Sequence, residues 1–353
     1  MSSLRHRLDY DELEAILEIP FPQAKIAHIE RMPEGIGEEP AIMLRISLKN
    51  PAKDLILRIL HPKSKMLFER ELGFIFYAER LNLCPVPNVL FFDNSKKLIQ
   101  KDYYIYEFIE EDTLAETLNK LSVRQQMKLY GEIGRILGTM HSHRKEHLGD
   151  VFFDGTNLNF VKRKNQSLHP KIEEDYNWLL ENDFAEDKNP AFARFKEDCE
   201  KLYEKYHEIA LDKPRSIGFT HNDLSTDNLI VDHTKVSALI DFSEWGFSDV
   251  DWELARCERR LFLWINRIPL DRIVSVKKAF FEGYQTVSAI SADYTAKKPL
   301  FLLIQIMDDM GMLPEFSKRM NAPQLQQLKE TLCWEMESLI KSYGESPRAD
   351  FNS

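Results

Sequence analysis

Cysteine is scarce in this sequence. Four residues in 353 are cysteine, at Cys84, Cys199, Cys257 and Cys333, and no two are spaced as CxxC. This spacing argues against a structural zinc site and fits reduced, mostly buried thiols in a cytosolic protein. No apolar run approaches the roughly 20 residues that a membrane span needs. The amino-terminal MSSLRHRLDYDELEAILEIP is charged where a signal peptide would carry an apolar core. The expectation is a cytoplasmic chain with no membrane contact. Basic residues are in deficit: 47 Lys and Arg against 57 Asp and Glu, a formal charge of −10. Nucleic acid is therefore not expected as a partner, because a phosphate backbone needs a basic surface. An acidic surface suits a small cationic molecule better. Internal repeats and low-complexity tracts are absent as well.

What is present divides into two regions. IAHIERM (26–32), AIMLRISL (41–48) and DLILRIL (54–60) are β-rich runs, with MPEGIGEEP (32–40) as the turn between the first two. KMLFERELGFIFYAERL (65–81) carries apolar residues at helical spacing, and CPVPNVLFFD (84–93) and DYYIYEFI (102–109) read as two more strands. A short amino-terminal helix is expected to stop before Pro20. Beyond about residue 110 the periodicity is helical, in 124–143, 172–182, 192–211 and nearly all of 252–342. The expected fold class is α+β with two lobes: a small β-rich lobe with one main helix (1–108) and a large, mostly helical lobe (109–353). The strand-like exception in the second lobe is the pair DNLIVD and KVSALIDF, joined by a turn at DHTK.

That exception carries the chemistry. FTHNDLSTDNLIV (219–231) gathers His221, Asp223 and Asn228, and Asp241 closes the following strand. The outer ends of a hairpin meet, so Asn228 and Asp241 are expected to be neighbours, with Asp223 and His221 beside them. An amide and a carboxylate oxygen suit Mg²⁺, which takes a few protein oxygens together with substrate phosphates. A second carboxylate kept off the metal can accept a proton from an incoming hydroxyl. These are the components of phosphoryl transfer.

His-x-Asp-(x)4-Asn, followed 13 residues after Asn228 by the Asp of an Ile-Asp-Phe strand end, resembles the aminoglycoside phosphotransferase and choline kinase superfamily. The resemblance implies a protein-kinase-like fold. Where that family has Gly-Asp-Pro and Asp-Leu-Ala, this chain has Ser248-Asp249-Val250 and Glu253-Leu254-Ala255. By the resemblance Asp223 is the catalytic base, His221 braces its loop, Asn228 and Asp241 hold Mg²⁺, and Asp249 is structural. ATP or GTP is the phosphate donor, bound between the lobes.

The resemblance also assigns the first lobe. Arg58 on the third strand holds the nucleotide phosphates, and Glu71 on the helix orients it, with Glu69 the weaker choice. Gly35 and Gly37 lie where backbone amides cap a phosphate, although no full GxGxxG is present. Glu107 and Ile109 offer backbone groups to the purine, and Tyr106 narrows that pocket. The motif looks nearest to antibiotic O-phosphotransferases, which implies an aminoglycoside-type acceptor and a part in antibiotic resistance. Glu244, Asp251, Glu253, Asp308 and Asp309 are candidates to receive its positive charge. Trp245 is a candidate to line a sugar, whereas Trp252 is expected in the core. Protein-kinase His-Arg-Asp, DFG and APE triplets are missing, so a protein substrate is not expected. The alternatives are a metabolic kinase acting on choline, homoserine or methylthioribose, and an inactive nucleotide-binding regulator. The intact Asp223, Asn228 and Asp241 argue against the regulator.

Overall fold

Period-two alternation explains the first sheet. In a computed structural model that describes residues 10–32, 41–60, 65–164, 176–181, 190–212, 215–263, 268, 270–318 and 320–344, five antiparallel strands pair in the order β1-β2-β3-β5-β4. They are β1 (Ile26–Arg31), β2 (Ile42–Lys49), β3 (Ala52–Ile59), β4 (Val89–Asp93) and β5 (Tyr103–Glu107). Successive side chains point to opposite faces. Leu55, Leu57 and Ile59 of β3 thus join Leu44, Ile46, Leu48, Tyr103 and Ile105 in one core. Helix α1 (Tyr10–Glu18) covers this core with Leu13, Ile16 and Leu17. Nine residues are too few to hold a helix alone. Burying three apolar side chains, at roughly 2 kcal/mol each, supplies what local propensity lacks.

The opposite face presents the alternate set, including Arg58 and Tyr104. It meets α2 (Lys65–Leu81), whose bounds are those expected from periodicity. Phe68 of α2 packs edge-on against Tyr104, with centroids 6.2 Å apart. The far side of α2 is covered at Gly73, where a Cβ would lie 2.0 Å from the Val151 carbonyl oxygen. Only a residue without a side chain permits that approach.

The chain divides into two compact units. The first is Met1–Glu111 with Val151–Val161 and Ser237–Ser243; the second is Asp112–Asp150, Lys162–Val236 and Glu244–Ser353. The expected single cut between 108 and 109 differs from this division, because two later segments also join the first unit. Both are short strand-bearing stretches whose apolar residues pack on α2, such as Phe153 against Phe76 at 4.7 Å.

In the second unit a short helix, α3 (Leu114–Thr117), comes first, and the helical expectation holds for α4 (Val123–Ser142), α5 (Lys196–Asp212), α6 (Val250–Glu258), α7 (Leu270–Gln285), α8 (Tyr294–Gly311) and α9 (Ala322–Tyr343). Helices α4 and α7 touch backbone to backbone, since a Cβ on Gly134 would stand 2.0 Å from the Phe280 carbonyl oxygen. The hairpin of β9 (Leu229–Asp232) and β10 (Lys235–Leu239) forms at the expected place. It is not the only strand pair after residue 110. β6 (Gly149–Phe153), β7 (Leu158–Lys162), β8 (Ile217–Thr220) and β11 (Gly246–Asp249) are strands that periodicity did not reveal. All four are four or five residues long, too short for alternation to register. All four cysteines are free thiols, and all but Cys333 are buried.

Candidate active site

Each unit carries part of the expected constellation. In the first, Arg58 and Glu71 form a two-pronged ion pair. Arg58 Nε donates to Glu71 Oε2 at 2.9 Å and Nη2 to Oε1 at 2.5 Å. The Tyr104 hydroxyl adds a third bond to Glu71 Oε2 at 2.7 Å. Glu71 is 1% exposed and Arg58 15%. Burial opposes the charge on Arg58, but Glu71 more than offsets it, and the guanidinium pKa is raised. Glu71, not Glu69, is therefore the partner. The remaining Arg58 nitrogen meets the Met43 sulfur at 3.2 Å, a weak acceptor.

Helix α2 also places the segment around Asp241 in this unit. Phe74 stacks on Phe242 with centroids 4.5 Å apart, and Arg70 Nη1 donates to the Ser243 carbonyl at 3.0 Å. Asp241 itself is exposed and has a left-handed backbone, φ 61°. Aspartate tolerates that conformation better than most residues. Nothing in the sequence singled out Arg70 or Phe74. Glu107 and Ile109 line an open cavity of about 550 Å³ together with Val86, Pro87, Asn88, Phe108, Glu110 and Glu111. The Glu107 amide is already committed to the Asn88 carbonyl at 3.0 Å, which removes one of the backbone groups expected for the purine. Tyr106 stands beside Tyr104, and burial raises its hydroxyl pKa, with Glu71 and Asp241 adding to the effect. Gly35 and Gly37 lie outside the described residues.

In the second unit the loop after β8 is built around Glu253. This carboxylate is fully buried. One oxygen accepts the backbone N–H groups of His221 at 2.9 Å and Asn222 at 2.7 Å. The other meets His141 Nε2 at 2.7 Å, and His141 Nδ1 meets the Tyr284 hydroxyl at 2.9 Å. Asn222 turns the chain in the left-handed region at φ 63° and fixes itself to the Glu244 carbonyl and the Ser248 hydroxyl. Asp223 follows that turn. Its N–H reaches His221 Nδ1 at 3.3 Å, so the buried His221 ring serves as an acceptor that braces the loop. Asn228 Nδ2 donates to the Asp223 carbonyl at 2.8 Å and to its carboxylate Oδ2 at 3.2 Å. Just past the connection, Ala115 N–H bonds the Thr226 carbonyl and Val231 N–H the Asp112 carbonyl, tying the loop to the chain that follows residue 111.

Asp223 has further partners that sequence reasoning did not find. Arg256 Nη2 and Arg260 Nη1 both donate to Oδ1, at 3.0 Å and 2.8 Å. Arg256 lies in the last turn of α6, and Arg260 lies in the π-helical turn Arg259–Leu263 that follows, a local geometry frequent at functional sites. Their i, i+4 spacing on a helix is the one available clue.

Several expected ligand contacts are corrected. Asp251 is buried against Lys297 at 2.8 Å, and Asp309 is buried against Arg259. Glu253 is wholly inside the loop network. These three carboxylates are satisfied internally and face no solute, because a buried charge must be paired to persist. Glu244 and Asp308 are exposed. Trp245 is completely buried and lines no sugar site. Trp252 packs edge-on against Phe301 at 5.3 Å. Asp249 is the N-cap of α6, accepting from Asp251 N–H at 2.9 Å.

The sequence profile of the phosphotransferase enzyme family, APH, matches residues 43–294. No curated protein sequence matches the chain. Among solved structures, one from Ralstonia eutropha JMP134, described as a candidate aminoglycoside phosphotransferase, superposes with a TM-score of 0.65 at 16% identity, covering 95% of this chain and 99% of the other. A thermostable mutant of aminoglycoside phosphotransferase APH(4)-Ia, in complex with AMP-PNP and hygromycin B, gives 0.61 at 14%, covering 95% and 100%. Spectinomycin phosphotransferase APH(9)-Ia, with ADP and spectinomycin, gives 0.60 at 14%, covering 95% and 99%. At these identities the likeness is one of fold. The profile spans well over half of the chain, and with it the protein belongs to the phosphotransferase enzyme family.

Proposed function

We infer that the chain is a small-molecule kinase that transfers the γ-phosphate of ATP or GTP to a substrate hydroxyl. The observation that carries this is the Asp223 loop: a half-buried carboxylate held by a left-handed Asn222, by Glu253 through two backbone N–H groups, and by the Asn228 amide. A positioned carboxylate of this kind accepts the proton of an attacking hydroxyl. Arg58, held in a fixed plane by Glu71, spends its third nitrogen only on the weak Met43 sulfur acceptor, which a phosphate oxygen can displace. Asn228 spends its amide nitrogen on Asp223, so its side-chain oxygen remains an acceptor. Asp241 is an exposed carboxylate. Both are hard oxygen donors suited to Mg²⁺, which when bound supplies neutralisation of phosphate charge. The nucleotide-bound relatives support the donor assignment.

A metabolic acceptor is favoured over a polycationic antibiotic by one specific observation. Three of the five carboxylates that would receive an aminoglycoside are consumed by Lys297, His141 and Arg259. The test is ADP or GDP release with ATP or GTP and Mg²⁺ over a panel of amino sugars, choline, homoserine and methylthioribose. Asp223→Asn is expected to bind nucleotide yet lose roughly 10³-fold in turnover, the usual worth of a general base. Wild-type turnover in that variant would remove Asp223 from the role.

A further inference from the structure

Two guanidiniums share one carboxylate at the catalytic loop. Arg256 and Arg260 both reach Asp223 Oδ1, and Oδ2 accepts one bond from the Asn228 amide. Arg260 also reaches Asp309 Oδ1 at 3.4 Å, but Asp309 is already the partner of Arg259. Glu335, the other carboxylate nearby, bonds Arg259 through two nitrogens. Arg256 keeps a buried Nε–H with no hydrogen-bond acceptor. Burial and the charge of Arg256 push the Arg260 pKa down. Three guanidiniums and three carboxylates meet here, but Arg259 engages two of the carboxylates, which leaves Arg256 and Arg260 sharing one oxygen of Asp223 at the place where an acceptor hydroxyl must arrive. A carboxylate or phosphate presents two or three oxygens to guanidinium forks. A base oxygen already accepting from two guanidiniums has no lone pair directed at a hydroxyl until those groups turn elsewhere.

We propose that the acceptor molecule carries an anionic group, a carboxylate or a phosphate, and that Arg256 and Arg260 receive it. The proposal rests on the kinase reading above and names its substrate class. Bringing the anion onto the two arginines draws them from Asp223 Oδ1. The hydroxyl proton then passes to that oxygen as the hydroxyl oxygen bonds the γ-phosphorus. The bond from the γ-phosphorus to the bridging oxygen breaks, and its electron pair leaves with the nucleoside diphosphate. Asp251, Glu253 and Asp309, which would recruit a cation, are turned inward on their own partners.

The test is titration calorimetry on the full chain with Mg²⁺ and saturating AMP-PNP. Three probes are used: inorganic sulfate, glycerol 3-phosphate, which joins a hydroxyl to an anion, and the polycation kanamycin. Binding of AMP-PNP itself is measured first and reports on the kinase reading independently. Sulfate and glycerol 3-phosphate are expected to bind the wild type in the millimolar range or tighter. Arg256→Gln is expected to weaken both at least tenfold. Arg256→Lys, which keeps the charge and loses the fork, should fall between, and thermal melting establishes that each variant is folded. Anion binding that is absent in the wild type, or unchanged in Arg256→Gln, overturns the proposal, as does binding of kanamycin in place of the anions.

Discussion

Arg58 and Glu71 in the first unit are matched one to one. Both carboxylate oxygens are used, Tyr104 adds a bond, and Glu71 is sealed from water. Asp223 in the second unit is mismatched, one carboxylate oxygen shared by two guanidiniums, with its side chain 20% exposed. The matched pair is a rigid fixture, because each partner is unfavourable to bury alone. The mismatched set is open to exchange of partners, because another anion can take the place of Asp223. The difference separates a device that holds its shape from one prepared to meet a ligand.

The comparison can be broken from its matched side first. Glu71→Ala leaves Arg58 buried without its carboxylate, and removing one partner of such a pair costs about 3–5 kcal/mol. The variant should show a lower urea midpoint and weaker nucleotide binding. A midpoint equal to that of the wild type would mean that water or another group already supports Arg58.

Glu253 sharpens the other side, since it holds the loop rather than touching substrate. Glu253→Ala frees the N–H groups of His221 and Asn222 and leaves His141 with Tyr284 alone. Displacement of Asp223, the proposed base, by about 1 Å is enough for a roughly 100-fold fall in turnover. Steady-state hydrolysis should show that fall in kcat with the nucleotide KM little changed. Equal losses in both would assign Glu253 to general stability.

The smallest effect concerns pH. Burial pushes the Asp249 carboxyl up to about 6, with Lys297 opposing and Asp251 adding to the shift. The unfolded carboxyl titrates near 4. The folded state thus holds its proton longer, and the contribution of Asp249 to stability is lost as pH rises between about 4 and 6, then is level. Asparagine keeps the helix cap. Asp249→Asn should gain on the wild type by on the order of 1–2 kcal/mol between those limits. Denaturation midpoints of both proteins at pH 4.5 and 6.5 measure it, and parallel pH dependence would refute the buried-carboxyl account.

Much of this was readable beforehand where chemistry and local geometry coincide. His221, Asp223 and Asn228 are close in sequence, so a single loop brings them together in any compact form, and the hairpin from 229 to 239 follows from its turn. The bounds of α2 followed from a long helical period, whereas the pairing of Arg58 with Glu71 came from the family resemblance. Short strands escaped notice, because four residues such as Ile217–Thr220 carry no period.

The sequence by itself determined the α+β class, the family and the loop that bears Asp223, since each depends on residues near one another in the chain. Only the tertiary structure decided which charges meet. Glu253 lies 30 residues past Asp223, Arg260 lies 37 past it, and Lys297 lies 46 past Asp251. Whether such a carboxylate faces a ligand or a buried cation depends on long-range packing. Burial then selects the outcome, because a charge removed from water is stable only with a partner.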